Sequence, residues 1–141
     1  MRLSAFCIAL ALMAGSVPAQ EPVSPKVLSA KRTHKYDHMG MVTEPKDKDN
    51  SVLTVVQVGD ISLEEFGKQE GKKKPSLTCE KQDCSLAITT SGGRKKILIL
   101  LVFTTPKDAQ KCTLSFGDYG ALDFVAEAEV RESVSAMDYL K

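Results

Sequence analysis

The chain has 141 residues, of which 26% are charged and 6% aromatic, and 19 basic residues against 18 acidic ones leave a formal charge of +1. That balance excludes the global electrostatic attraction on which nucleic-acid and acidic-membrane binders rely. The length suits one domain with a modest core.

Residues 1–19, "MRLSAFCIALALMAGSVPA", have a signal-peptide layout. Arg2 precedes an apolar run from Ala5 to Ala14, and Val17 and Ala19 are small residues before an expected cut that leaves Gln20 first. The run is shorter than the roughly 20 residues a membrane span needs. "ILILLVF", 97–103, has the length of a strand, so no transmembrane segment is expected after cleavage. Cys7 lies near the start of the apolar run, which argues against a lipoprotein anchor. The expectation is a secreted or periplasmic protein. Cleavage removes Arg2 and no acidic residue, leaving 18 charges of each sign.

Residues 20–33, with two early prolines, read as a flexible lead-in or an edge strand. "RTHKYDHMGM", 32–41, carries both histidines of the chain. On a strand, His34, Tyr36 and His38 share one face, and Asp37, Met39 and Met41 the other. A loop could instead gather His34, His38, Met39 and Met41 around copper, because thioethers suit Cu(I) and imidazole suits both copper states. An ordinary edge strand or loop explains the same stretch without a metal.

"TEPKDKDN", 43–50, is a charged, turn-rich loop. "SVLTVVQV", 51–58, has β-branched residues on both parities, as in a central strand covered on both faces. In "GDISLEEF" Ser62 and Glu65 have capping-box spacing, with Ile61 and Phe66 at the staple positions. A helical turn at 62–67 is expected, ending at Gly67. The lysines of 68–74 read as a solvated loop.

Export permits disulfides, and three cysteines, Cys79, Cys84 and Cys112, would remain after cleavage. The four polar residues Glu80–Asp83 suit a hairpin loop that sets Cys79 opposite Cys84, which favours that pair. Cys84 with Cys112 is the rival, and the spacing is not that of a zinc knuckle.

"CSLAITT", 84–90, alternates, with Cys84, Leu86 and Ile88 to one side. "SGG", 91–93, is a hairpin turn. "KKILILLVFTT" is the expected longest, central strand. "PKDAQ", 106–110, turns the chain, "KCTLSFG" points Cys112, Leu114 and Phe116 inward, and "ALDFVAEAEV", 121–130, is the last strand. "RESVSAMDYLK", 131–141, suits a short helix with Val134, Met137 and Leu140 on one face, or a tail. About seven short strands without βαβ alternation predict an all-β fold, an antiparallel β-sandwich over 34–130.

The segment 42–126 resembles the small exported bacterial domains with an immunoglobulin-like fold, such as the telokin-like extracellular domains. Val102, Phe103 and Pro106 match their strand end, and Leu114, Phe116, Gly117 and Asp118 match the strand that follows. Thr104 and Thr105 lengthen the gap between the two, and Cys112 replaces a plain apolar residue. The resemblance implies an immunoglobulin-like sandwich with a binding, structural or envelope role and no catalytic residues.

Enzyme readings find little support. A GxSxG serine motif is missing, and nothing in the sequence brings Cys112, or an unpaired Cys79 or Cys84, to His34 or His38. The pairs Glu64–Glu65 and Glu127–Glu129 are explained by helix-start charge and solvation. "SGGRKK" lacks the spacing of a phosphate loop. The sequence therefore points to a non-catalytic exported module that binds a protein or envelope component through sheet edges and end loops. The alternative is an exported copper-binding protein.

Overall fold

The computed structural model describes residues 25–93 and 97–140. The expected leader, 1–19, lies outside them.

The described residues form eleven strands and one α-helix. The strands are β1 (Lys26–Thr33), β2 (Tyr36–His38), β3 (Met41–Thr43), β4 (Ser51–Gly59), β5 (Ser76–Cys79) and β6 (Gln82–Gly92). After them come β7 (Leu98–Pro106), β8 (Lys111–Ser115), β9 (Leu122–Val125), β10 (Val130–Arg131) and β11 (Val134–Ser135). Helix α1 (Leu63–Lys72) follows β4, and a 3₁₀ turn at Ala136–Tyr139 follows β11. Eight strands make one sheet in the order β9-β8-β5-β6-β7-β4-β1-β10, and β11-β2-β3 make a second. The all-β expectation holds at this level. Pairing is not purely antiparallel, because β10 joins β1 and β11 joins β2 in parallel.

The large sheet curls around a single apolar cluster. Val27, Val56, Leu77, Leu86, Ile99, Leu101, Phe103, Leu114 and Phe124, from seven of its eight strands, all pack into it. A flat sheet could not bring its end strands to one core. The curl carries β9 back toward β1, and just past β9 the Glu127 amide donates to the Ala30 carbonyl at 3.0 Å. Arg32 fixes this corner. Its guanidinium is buried and donates to the backbone carbonyls of Lys107, Glu127 and Ala128.

Strands β4 and β7 are covered on both faces, as their residues on both parities require. Val56 and Leu101 face the first cluster, while Leu53, Val55, Leu100 and Val102 face a second with Tyr36, Val134, Ala136 and Tyr139. The small sheet and the 3₁₀ turn are thus the outer cover of the central strands.

Helix α1 closes one end of the curl. Ser62 caps it, accepting from the Glu65 amide at 3.1 Å, and Ile61 and Phe66 are both buried. The helix runs on past Gly67 to Lys72, because its exposed face carries the charged residues and only Phe66 and Gln69 need burial. Lys68 and Lys72 therefore lie on a helix rather than in a loop. The Glu65 carboxylate does not reach back to complete the capping box. It accepts instead from Gln69 Nε2 (2.7 Å) and the Tyr119 hydroxyl (3.2 Å).

Several further expectations are corrected. Ile88 does not share a face with Cys84 and Leu86: a register shift between Leu86 and Ile88 turns Ile88 to the second cluster. A bulge of this kind adds a residue to one strand and so reverses the alternation beyond it. The longest strand is β6, not β7. The expected last strand, 121–130, breaks at Ala126, which is buried and tied to Gln110 by the bond from its amide to the Gln110 carbonyl. Of the two readings of 20–33, the strand holds for Lys26–Thr33, whose outer edge is paired only at Arg32 and Thr33, and 20–24 lie outside the described residues. At the C-terminus Val134 is buried, but Met137 and Leu140 are exposed, and Ala136 and Tyr139 turn inward.

The disulfide joins Cys79 to Cys112, with Cα atoms 4.1 Å apart, and Cys84 is free. This overturns both the Cys79–Cys84 and the Cys84–Cys112 pairings. The hairpin loop is two residues, not four: Glu80 and Lys81 both adopt positive φ (47° and 70°), and Cys79 faces Gln82. That register sets Cys84 opposite Leu77, while β8, arriving on the other side of β5, sets Cys112 directly opposite Cys79.

Candidate binding surface

The outer face of β5, β8 and β9 is the uncovered face of the large sheet. A groove of about 560 Å³ runs over it, lined by Thr78, Glu80, Lys81, Lys111, Asp123 and Val125 among others. Period-two alternation builds it. Leu77, Cys79, Cys112 and Leu114 point to the core, which leaves Thr78 and Thr113 outside. Cross-strand register then aligns Asp83, Thr78, Thr113 and Asp123 in one row over four strands. Thr113 Oγ1 donates to Asp123 Oδ1 at 2.6 Å, and Thr78 Oγ1 donates to Asp83 Oδ1 at 3.4 Å. Val125, two-thirds exposed, is the apolar member of the groove wall.

Beside the groove lies a seam. Among the described residues β9 ends the sheet, so one of its edges carries no strand. β1 is paired with β4 along its length, but β10 covers its other edge only at Arg32 and Thr33. Lys26–Ala30 therefore faces β9 without a ladder. The cleft between them, about 370 Å³, is lined by Pro25, Lys26, Val27 and Ala121–Phe124. Val27, Leu122 and Phe124 are partly buried and form its apolar floor against the core.

The lysine segment 68–74 is partly engaged. Lys72 Nζ lies 2.7 Å from Asp118 Oδ2, an exposed pair in which the carboxylate holds the ammonium pKa above its ordinary value. Lys73 ends the helix, its amide donating to Gln69 and its carbonyl accepting from Gly117.

The four expected metal ligands separate into two places. His34 lies at the bend before β2, its amide bonded to the Arg131 carbonyl at 2.9 Å. His38, Met39 and Met41 stand at the opposite end of β2, in a hairpin whose loop is Met39–Gly40. Along an extended chain, four residues span roughly 13 Å. The expectation that Met41 faces away from His38 is corrected: the two are cross-strand partners and so lie on one face. Among the described residues no three His, Cys, Asp or Glu side chains group as a metal site.

Burial pushes the Cys84 thiol above its ordinary pKa, with the nearby Cys79 backbone pulling the other way. A nucleophilic cysteine needs the reverse shift. Desolvation raises the Tyr36 phenol, moderated by Thr90, and raises Tyr139 strongly. Among the described residues the Tyr139 hydroxyl is buried without a hydrogen-bond partner.

Sequence reasoning named the sheet edges but missed the Thr–Asp row and the buried Arg32. The row had a signal, the outward parity of Thr78, Thr113 and Asp123. Arg32 had none, since three distant carbonyls become its partners only in the folded chain.

These features define a mostly β domain with one large curled sheet, a smaller three-stranded sheet, an internal disulfide and a solvent-facing groove beside the β1–β9 seam. No described helix is long and apolar enough to cross a membrane. No family model, no curated protein and no solved structure matches the chain.

Proposed function

We propose that this protein is an exported, non-catalytic binding module, related to the immunoglobulin-like telokin-like domains, whose partner is a protein or envelope component. The contact runs along the seam between β1 and β9. One observation carries this reading: two strand edges face each other across an apolar floor without a ladder between them. A partner segment lying along the mouth of the cleft could set side chains against Val27, Leu122 and Phe124. The neighbouring groove would add polar contacts through Thr113 and Asp123. The Cys79–Cys112 disulfide agrees with an oxidising compartment. The raised Cys84 thiol speaks against that cysteine as a nucleophile.

Site-specific photo-crosslinking in the native envelope tests the reading. A crosslinker at Lys26 or Ala121 should capture a discrete partner, and one at Glu132 should not. Capture from Lys73 or Lys74 but not from the seam positions would move the contact to the lysine segment and defeat the seam reading.

A further inference from the structure

The β2–β3 hairpin carries two exposed methionines at its tip. Met39 has φ 51° and Gly40 φ 95°, the two positive values of a type I′ turn, whose first position favours Asn, Asp or Gly. A methionine there is strained by its Cβ. It also gains nothing by burial, since Met39 is 60% exposed. Met41, at 73%, is the most exposed of the large apolar residues. The turn itself is held by other groups: the Gly40 amide donates to Asp37 Oδ1 at 2.7 Å.

The same turn carries an imidazole and two thioethers within four consecutive residues. His38 and Met41 are the residues joined across the loop, with Met39 between them in the chain. The ring of His38 is oriented in advance. It lies parallel to buried Tyr36 (centroids 6.5 Å apart, planes 20° apart), and its Nδ1 is 3.5 Å from Thr90 Oγ1. Holding the ring by Nδ1 leaves Nε2 as the coordinating nitrogen, the usual arrangement for a metal-bound histidine.

We propose that His38 Nε2, Met39 Sδ and Met41 Sδ form a site for one soft monovalent cation, Cu(I), at the tip of this hairpin. Two thioethers and one imidazole select Cu(I) over hard cations, which prefer oxygen, and leave a three-coordinate ion that this set can satisfy. Methionine has three rotatable bonds, so both sulfurs can close on an ion held by the fixed ring. His34, at the far end of β2, is not a ligand. The site lies away from the β1–β9 seam and does not depend on it.

The test is an anaerobic Cu(I) titration of the exported protein against a chromogenic Cu(I) chelator. It is run in a Cys84→Ser background so that the free thiol cannot supply the ion's ligand. A single equivalent should be withdrawn from the chelator, and His34→Ala should leave that equivalent in place. Met41→Leu and His38→Ala should abolish it. Met39→Asn should weaken it while raising the thermal midpoint, because asparagine suits the turn better; a fall in binding therefore cannot come from unfolding. Failure to withdraw any Cu(I), or retention unchanged in Met39→Asn and Met41→Leu, would overturn the proposal.

Discussion

The Cys79–Cys112 disulfide offers the sharpest quantitative test of the fold. It closes a loop with a sequence separation of 33. The chain-entropy relation for a loop of that size gives about 3.7 kcal/mol of stabilisation, drawn from the unfolded state. Had the bond joined Cys79 to Cys84, the five-residue separation would give only about 2 kcal/mol by the same relation. The experiment is urea unfolding of the unsubstituted and the Cys84→Ser proteins, oxidised and then reduced, with peptide mapping of the unsubstituted protein under non-reducing conditions. The oxidised form should exceed the reduced form by the larger figure, and Cys84→Ser should leave the reductant-sensitive difference intact. Cys84 faces Leu77 from the neighbouring strand and takes no part in the bond. A map showing Cys79 linked to Cys84, or loss of the reductant effect in Cys84→Ser, would refute the β5–β8 register on which the core is drawn.

Further outcomes follow from single positions. Gly117 has φ 58°, and a Cβ there would collide with the Gln69 side chain that accepts from the Asp118 amide; Gly117→Ala should cost about 2 kcal/mol or more in chemical unfolding, since strain and collision add. Lys81, at φ 70° in the β5–β6 turn, should give the opposite sign, with Lys81→Gly stabilising by about 0.5–1 kcal/mol. Phe66, buried against Phe116 at 5.4 Å between ring centroids, should cost about 3–5 kcal/mol as alanine, read from the same unfolding curves. The hydrogen bond from Gln69, with a smaller one from Tyr119, holds the Glu65 pKa below the ordinary carboxylate value. Its contribution to stability is therefore present above the unfolded pKa and lost as the pH falls through the folded one; Glu65→Gln should flatten the acid limb of the stability profile. All three tyrosines have raised pKa values, chiefly from burial. Their stabilisation is complete below the unfolded phenol pKa and lost as the pH rises beyond it. Phenolate absorbance of the folded protein should thus lag behind that of the urea-unfolded chain, and coincident titrations would contradict the burial of Tyr36 and Tyr139.

What the sequence determined by itself was local. β-branched residues on both parities in 51–58 require cover on both faces, and β4 has it. Ser62 with Ile61 and Phe66 sets the start of α1, because capping and stapling act within one turn of chain. The alternation of Cys112, Leu114 and Phe116 fixes their inward face in the same way. Tertiary structure decided whatever depends on which strand meets which. Cys79 could not be assigned to Cys112 from spacing, since the pair exists only because β8 docks on the far side of β5. Ile88 changed faces through a bulge whose cause lies in its pairing with β7. Arg32 reads as a surface charge until the curl of the sheet brings three carbonyls to it. The hairpin tip shows both kinds of control: the letters place His38, Met39 and Met41 close in the chain, but only the register of β2 with β3 pairs His38 with Met41 and leaves His34 at the other end of β2. Local rules act over a few bonds and survive in the sequence. Register and curl arise from the packing of the whole core, which no single segment encodes.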